Sequence, residues 1–290
     1  MGGGIGIASA CASATVVNAI AAGKGAAFGV DLRVQSRVRL TKEGKISGRI
    51  LGQKKESPKL IEICVRKVLE NLGMEKCGAV AETTSEIPIA VGLSSSSAAA
   101  NAAVLATFAA CDQRPKPEQV LELGIEAAFE AGVTVTGALD DAAASFYGCG
   151  VITDNLKRRI LKKFKVDPKL VVVIHVPLTK FYTSKVSPEE LRRIRGPVQS
   201  VHRMAMRGEF WKALTINGLL YSTALGHDPM IAIEAISKGA MAAGLTGTGS
   251  ATVAVAEPDK VVDIVKAWRG WRGRILITRP AVEGARVEAV

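Results

Sequence analysis

The chain has 290 residues, of which 48% are hydrophobic, 22% charged and 4% aromatic, and its formal net charge is +11. That length and composition supply an ordinary globular core in one large or two modest domains. No uninterrupted apolar run reaches the ~18 residues of a membrane span. Residues 1–12 lack the basic start of a secretory signal. A cytoplasmic protein without a membrane partner is expected.

The five cysteines (Cys11, Cys64, Cys77, Cys111, Cys149) form no C-x-x-C pair, and the three histidines (His175, His202, His227) are scattered. This excludes a recognisable zinc motif or disulfide framework and favours reduced, mostly buried thiols. The basic excess attracts anions. Its densest run, Lys157-Arg158-Arg159 followed by Lys162-Lys163 and Lys165, has Phe164 as its only interleaved aromatic. Without a stacking platform the run reads as a solvated face, and no nucleic-acid partner is expected.

In chain order, an apolar run at 14–20 precedes a Gly23-Lys24-Gly25 turn. Alternation over 30–40 predicts a half-buried strand, and Glu43-Gly44-Lys45 predicts a hairpin into 46–51. Ser57-Pro58 opens an amphipathic helix through Leu72, stopped by Gly73. A strand at 78–84 leads to Pro88-Ile89-Ala90-Val91-Gly92-Leu93-Ser94-Ser95-Ser96-Ser97-Ala98, and an alanine-rich helix follows. A second helix spans 118–131. A loop then carries Thr136-Gly137-Ala138-Leu139-Asp140-Asp141 into an apolar segment at 142–147. The basic run marks a boundary near residue 155. Beyond it come a buried strand at 170–176, helices at 188–207, 208–225 and 229–243, and a Gly244-Leu245-Thr246-Gly247-Thr248-Gly249-Ser250 turn. A strand at 251–256, a helix at 259–268 and a strand at 274–278 complete the chain. The mixture lacks regular β-α-β alternation, which favours an α+β fold in two lobes.

The serine-rich loop carries the strongest chemical signal. Amides at a helix start have no intrahelical partner, and the helix dipole adds partial positive charge there. Phosphate is the natural ligand. One serine suffices as an N-cap, so four beside a glycine tilt the reading toward phosphate or metal-bound phosphate. The second glycine turn could bring further amides to the same anion. A Walker loop is absent, because Gly23-Lys24 is followed by Gly25 and position 18 is Asn. Adjacent carboxylates in a turn are ordinarily solvated or capping. Asp140 and Asp141, however, precede Ala142-Ala143-Ala144, which allows one of them to be buried. A kinase needs a carboxylate for the acceptor proton and an acid for Mg²⁺. Glu130, eleven residues before Asp141, is the candidate second acid, although a surface helix glutamate is its plain reading.

Taken in order, Gly23-Lys24 with Phe28-Gly29, Pro88 through Gly92-Leu93-x-Ser95-Ser96, Glu130 with Asp141, and Gly244-x-Thr246-Gly247-x-Gly249 resemble the GHMP kinase superfamily. Residues 18–29, 136–145 and Asn217-Gly218-Leu219-Leu220-Tyr221-Ser222 most resemble its archaeal-type shikimate kinases. The resemblance implies a two-lobed α+β fold. Residues 1–155 would form the mixed α/β ATP-binding lobe, and 156–290 a ferredoxin-like α+β lobe. It also implies ATP-dependent phosphorylation of the shikimate 3-hydroxyl with Mg²⁺. The ATP-binding set is then Pro88, Gly92, Leu93, Ser94, Ser95, Ser96, Ser97, Ala98, Thr246, Gly247 and Gly249, with Ser96 and Glu130 on the metal. Asp141 or Asp140 would act on the acceptor hydroxyl, with Asp141 favoured by its spacing to Glu130. Lys24 would pair with charge near the acceptor. Arg192, Arg193, Arg195 and Arg203 are candidates for the acceptor carboxylate, although a solvated helix face suits most of them. A homodimer is compatible with the resemblance. Homoserine kinase activity, or a non-catalytic nucleotide sensor on the same fold, are the alternatives.

Overall fold

The computed structural model describes residues 4–53, 56–179, 181 and 189–289. The first part of the chain forms β1 (Ile5–Val17), β2 (Lys24–Thr41), β3 (Ile46–Ile50), α1 (Lys59–Asn71), β4 (Gly78–Ser85), α2 (Ser95–Ala110), α3 (Pro117–Ala131), α4 (Leu139–Tyr147), β5 (Gly150–Asp154) and β6 (Arg159–Phe164). There follow β7 (Val171–Pro177), α5 (Arg195–Met206), α6 (Phe210–Leu225), α7 (Met230–Ser237), β8 (Ala242–Leu245), β9 (Thr252–Ala256), α8 (Val261–Trp268), β10 (Gly273–Thr278) and β11 (Arg286–Glu288).

β1 and β2 form the antiparallel spine of a seven-stranded sheet. One half of β2 pairs with β5, the other with β4. From Ala8 onward β1 is buried at every position, as a strand covered on both faces must be. One cover is α2, whose alanines are buried on nearly every side. A Cβ added to Gly6 of β1 would lie 2.1 Å from Ala106 O, so glycine and alanine set this close helix–sheet distance. α1 and α3 pack outside α2.

The second sheet is antiparallel in the order β10-β7-β9-β8, and α6 lies between β8 and β1. The two lobes share one apolar core. At their junction Phe28 meets Trp211 edge-to-face at 5.6 Å, and Phe164 stacks on Phe210 at 3.7 Å.

Several expectations are corrected. The first strand extends much further back than the 14–20 run, and the turn comes earlier, at 18–23, so Lys24 and Gly25 already belong to β2. The glycines and alanines of 4–13 hide a strand because its burial on both faces leaves no alternation. The expected hairpin at 43–45 is not one: β3 runs parallel to β4 rather than antiparallel to β2. Asp140 and Asp141 lie in the first turn of α4, not in a loop. The helix expected over 229–243 ends at Ser237, and Ala242 and Ala243 enter β8. The helix expected from 188 begins outside the described residues. A short 3-10 turn, Glu190–Ile194, precedes α5.

Arg159, Lys162 and Lys163 of the basic run lie on β6, which among the described residues pairs only with β5. Lysines on an edge strand discourage pairing with another chain. β6 and β11, which lie beyond the division expected at residue 155, both join the first sheet.

Candidate active site

The serine-rich loop, the start of α4 and the second glycine turn meet around one cleft of about 380 Å³. Ser94, in the left-handed conformation at φ 55°, ends the loop and turns the chain into α2. The first amide used inside that helix is that of Ala98, which donates to Ser94 O at 3.0 Å. The amides of Ser95, Ser96 and Ser97 are therefore the open N-terminal donors, and these serines line the cleft. Leu93 and Ala98 face the core instead (1% and 0% exposed), and Pro88 is buried at the entry of the loop.

The second glycine turn buttresses the first. Thr246 Oγ1 donates to Gly92 O at 3.0 Å and accepts from Thr15 N–H at 3.0 Å. Gly247 N–H donates to Thr15 Oγ1 at 2.8 Å. That amide is thus committed to the protein rather than to an anion, although Gly247 still lines the cleft. A Cβ on Gly249 would come within 2.1 Å of Val91 C, so Gly249 serves close backbone approach.

Asp141 lies at the floor of the cleft within a triangle of oxygens. Ser13 Oγ is 2.7 Å from Ser94 Oγ and 3.2 Å from Asp141 Oδ1, and Ser94 also bonds the carboxylate. Burial, then the neighbouring Asp140 charge, push the Asp141 carboxyl up to about 7 against the bonds from Ser94 and Ser13. Asp140 is 4% exposed and accepts from Asn155 Nδ2 at 2.8 Å. Burial raises it too, opposed by the Asn155 bond.

Other expected residues lie elsewhere. Glu130 is on the far side of α3, exposed, and ion-paired with Arg66 and Lys67 of α1. Those cations hold its carboxyl low, Arg66 most strongly. Lys24 opens β2 and faces α5, where its charge adds to burial in depressing His202. The next residue, Gly25, faces Asp140, so strand alternation puts Lys24 on the opposite side of the sheet. Arg192, Arg193, Arg195 and Arg203 are exposed and none lines the cleft. Among the described lining residues there is no Lys or Arg.

Sequence reasoning missed Ser13, Thr15 and Asn155. Asn18 was noted only as part of a motif. Its side chain donates to Gly247 O at 2.8 Å, and its backbone is held by Asn217 and Tyr221 of α6. Ser9, Ser13 and Thr15 are all buried along β1, but their irregular spacing among small apolar residues gave no pattern that marked them.

The GHMP kinases N terminal domain family matches residues 59–149. A shikimate kinase from Methanothermobacter thermautotrophicus is 40% identical over 280 residues, covering 95% of both chains. Another, from Methanothrix thermoacetophila, is 44% identical over 278 residues, covering 96% of this chain and 94% of its own. The chain belongs to the archaeal-type shikimate kinases of the GHMP kinase superfamily. Solved GHMP relatives share its fold. Homoserine kinase from Cytophaga hutchinsonii superposes with a TM-score of 0.74 at 18% identity, covering 98% of this chain and 97% of that one. The Methanococcus jannaschii mevalonate kinase superposes with a TM-score of 0.73 at 18% identity, covering 94% and 98%. In this shikimate kinase family member, the catalytic candidates therefore stand on a GHMP kinase scaffold, and no described helix is long and apolar enough to cross a membrane.

Proposed function

We propose that the protein transfers the γ-phosphoryl group of ATP to the 3-hydroxyl of shikimate, giving shikimate 3-phosphate and ADP, as a cytoplasmic enzyme. The observation that carries this reading is the meeting of open amides at Ser95–Ser97 with Asp141 in one cleft. Near-full-length identity of 40–44% to shikimate kinases supports the choice of acceptor.

The α2 amides and dipole receive the triphosphate, supplying positive potential that no Lys or Arg among the described lining residues provides. Asp141, with its carboxyl near neutrality, takes the acceptor proton. Ser13 and Ser94 fix that carboxylate. The nucleoside lies toward the part of the cleft lined by Ile50, Leu60 and Ile61, which pack in one apolar cluster. A Mg²⁺ ion keeps several waters and takes few protein oxygens, so the Ser96 hydroxyl at the start of α2 would suffice as the protein contact of an ion carried by the phosphates, and that ion would supply charge neutralisation on the transferred group.

A coupled ADP-release assay with Mg-ATP and shikimate, homoserine, mevalonate or galactose tests the reading. Turnover with shikimate alone is expected. Turnover of homoserine without shikimate overturns the acceptor. ATP binding with no turnover of any acceptor favours a sensor.

A further inference from the structure

Asp140 and Asp141 are adjacent, yet they face different surroundings. Asp141 meets hydroxyls at the cleft floor. Asp140 is pressed against β2, where a Cβ on Gly25 would lie 2.3 Å from its Oδ2. Asn155, itself 4% exposed, donates to Asp140 Oδ1 at 2.8 Å, and its own Oδ1 is held by Thr153 Oγ1 at 2.6 Å. This clamp has no catalytic purpose if Asp140 is only a neighbour of the base.

No described cation bonds either carboxylate. β1 presents Cys11, whose thiol burial pushes up to about 12 and keeps neutral. α6 presents Tyr221, raised mainly by burial and also protonated. α2 contributes Ser94, and α3 contributes the apolar Leu121 and Ile125. On the other sheet face, Lys24 of β2 stands beside His202 of α5 and Asp154 of β5. Lys163 of β6 sits over the Tyr147 ring at the far end of α4. An amide donor is thus the main group favouring charge on Asp140.

We propose that Asp140 is a positioning residue for phosphoryl transfer: clamped against Gly25 and held ionised by the Asn155 amide against the opposing effect of burial, its carboxylate keeps the adjacent Asp141 basic enough to accept the acceptor proton. The inference rests on the kinase reading above. In the step, the acceptor O–H bond breaks and its proton passes to Asp141. The acceptor oxygen bonds the γ-phosphorus, and the bridging P–O bond breaks with its electron pair leaving on ADP.

The test is Asp140→Asn in the full-length protein, an isosteric change that preserves the Asn155 contact. The acidic limb of the kcat–pH profile is expected to move to lower pH by about one unit or more, with kcat reduced and the KM for ATP unchanged. A ¹³C carboxyl NMR titration, which needs no turnover, should show the Asp141 resonance titrating lower by the same amount. Asn155→Ala, which removes the donor, should shift the limb in the same direction and serves if Asp140→Asn fails to fold. An unmoved or upward-moved limb and an unmoved Asp141 resonance overturn the proposal. Absence of shikimate turnover by the unchanged protein, with the NMR shift present, overturns the acceptor and leaves Asp140's role standing.

Discussion

Thr15 and Thr246 are bonded across the two lobes, with Thr246 Oγ1 accepting from Thr15 N–H at 3.0 Å while donating to Gly92 O at 3.0 Å. One hydroxyl therefore ties β1, the serine-rich loop and the second glycine turn together. Thr246 is 1% exposed. Thr246→Val keeps its shape and leaves a buried donor and a buried acceptor unpaired. The expected cost is about 1–3 kcal/mol of stability, with the KM for ATP raised several-fold and kcat changed less. Thermal unfolding and steady-state kinetics check this. An unchanged KM would mean that the turn does not hold the phosphate loop in place.

Gly92 makes the same point through backbone geometry. Its φ is +90°, and a Cβ there would lie 2.0 Å from Thr246 O. Gly92→Ala adds strain at positive φ to a clash with backbone that has nowhere to retreat. Calorimetric binding of a non-hydrolysable ATP analogue should weaken by ~10-fold or more, since ~1.4 kcal/mol of loop distortion suffices for that. Wild-type affinity would show that the loop relaxes freely.

Much of this site was legible in the chain because its parts are local. The Gly92–Ser97 loop and the alanine-rich α2 form one contiguous signal, and the start of that helix is set by neighbouring residues. The Asp140-Asp141 pair could be singled out from the apolar run behind it, whereas the preference for Asp141 rested on its spacing to Glu130, which pairs instead with Arg66 and Lys67. The remainder depends on pairings distant in sequence. Ser13 reaches Ser94 across 81 residues, and Gly247 reaches Thr15 across 232. A strand buried on both faces, such as β1, shows no period-two pattern to announce which of its hydroxyls face the site. Asn155 was hidden for the same reason, since β5 brings it beside Asp140 only once the sheet forms.

Glu130 separates spacing from geometry. Its distance along the chain from Asp141 suggested a metal ligand, yet its side chain pairs with Arg66 and Lys67 on the outer face of α1. Glu130→Gln should leave kcat and its Mg²⁺ dependence within a few-fold of the parent, because exposed pairs contribute little. A ~100-fold loss of kcat that is relieved by raised Mg²⁺ would return Glu130 to the metal.

Asp141→Asn should lower kcat by ~10²-fold or more with little change in nucleotide affinity, since it removes the proton acceptor and leaves the α2 amides intact. The same substitution should stabilise the fold. An unfolded aspartate titrates near 3.9, whereas Asp141 in the folded chain is raised to about 7. Between those values the folded chain holds a proton that the unfolded chain has released, so stability falls as pH rises from about 4 to about 7 and stays lowered above. Asparagine removes that penalty. Because the carboxylate is only partly covered, the gain at pH 8 is discounted to about 2 kcal/mol, a rise in Tm on the order of 4 °C. At pH 4 both proteins carry a neutral group there and should melt together. Unfolding curves at the two pH values decide it: an Asp141→Asn protein no more stable than its parent at pH 8 would mean that the carboxylate is already well solvated, and the case for a base tuned near neutrality would fail with it.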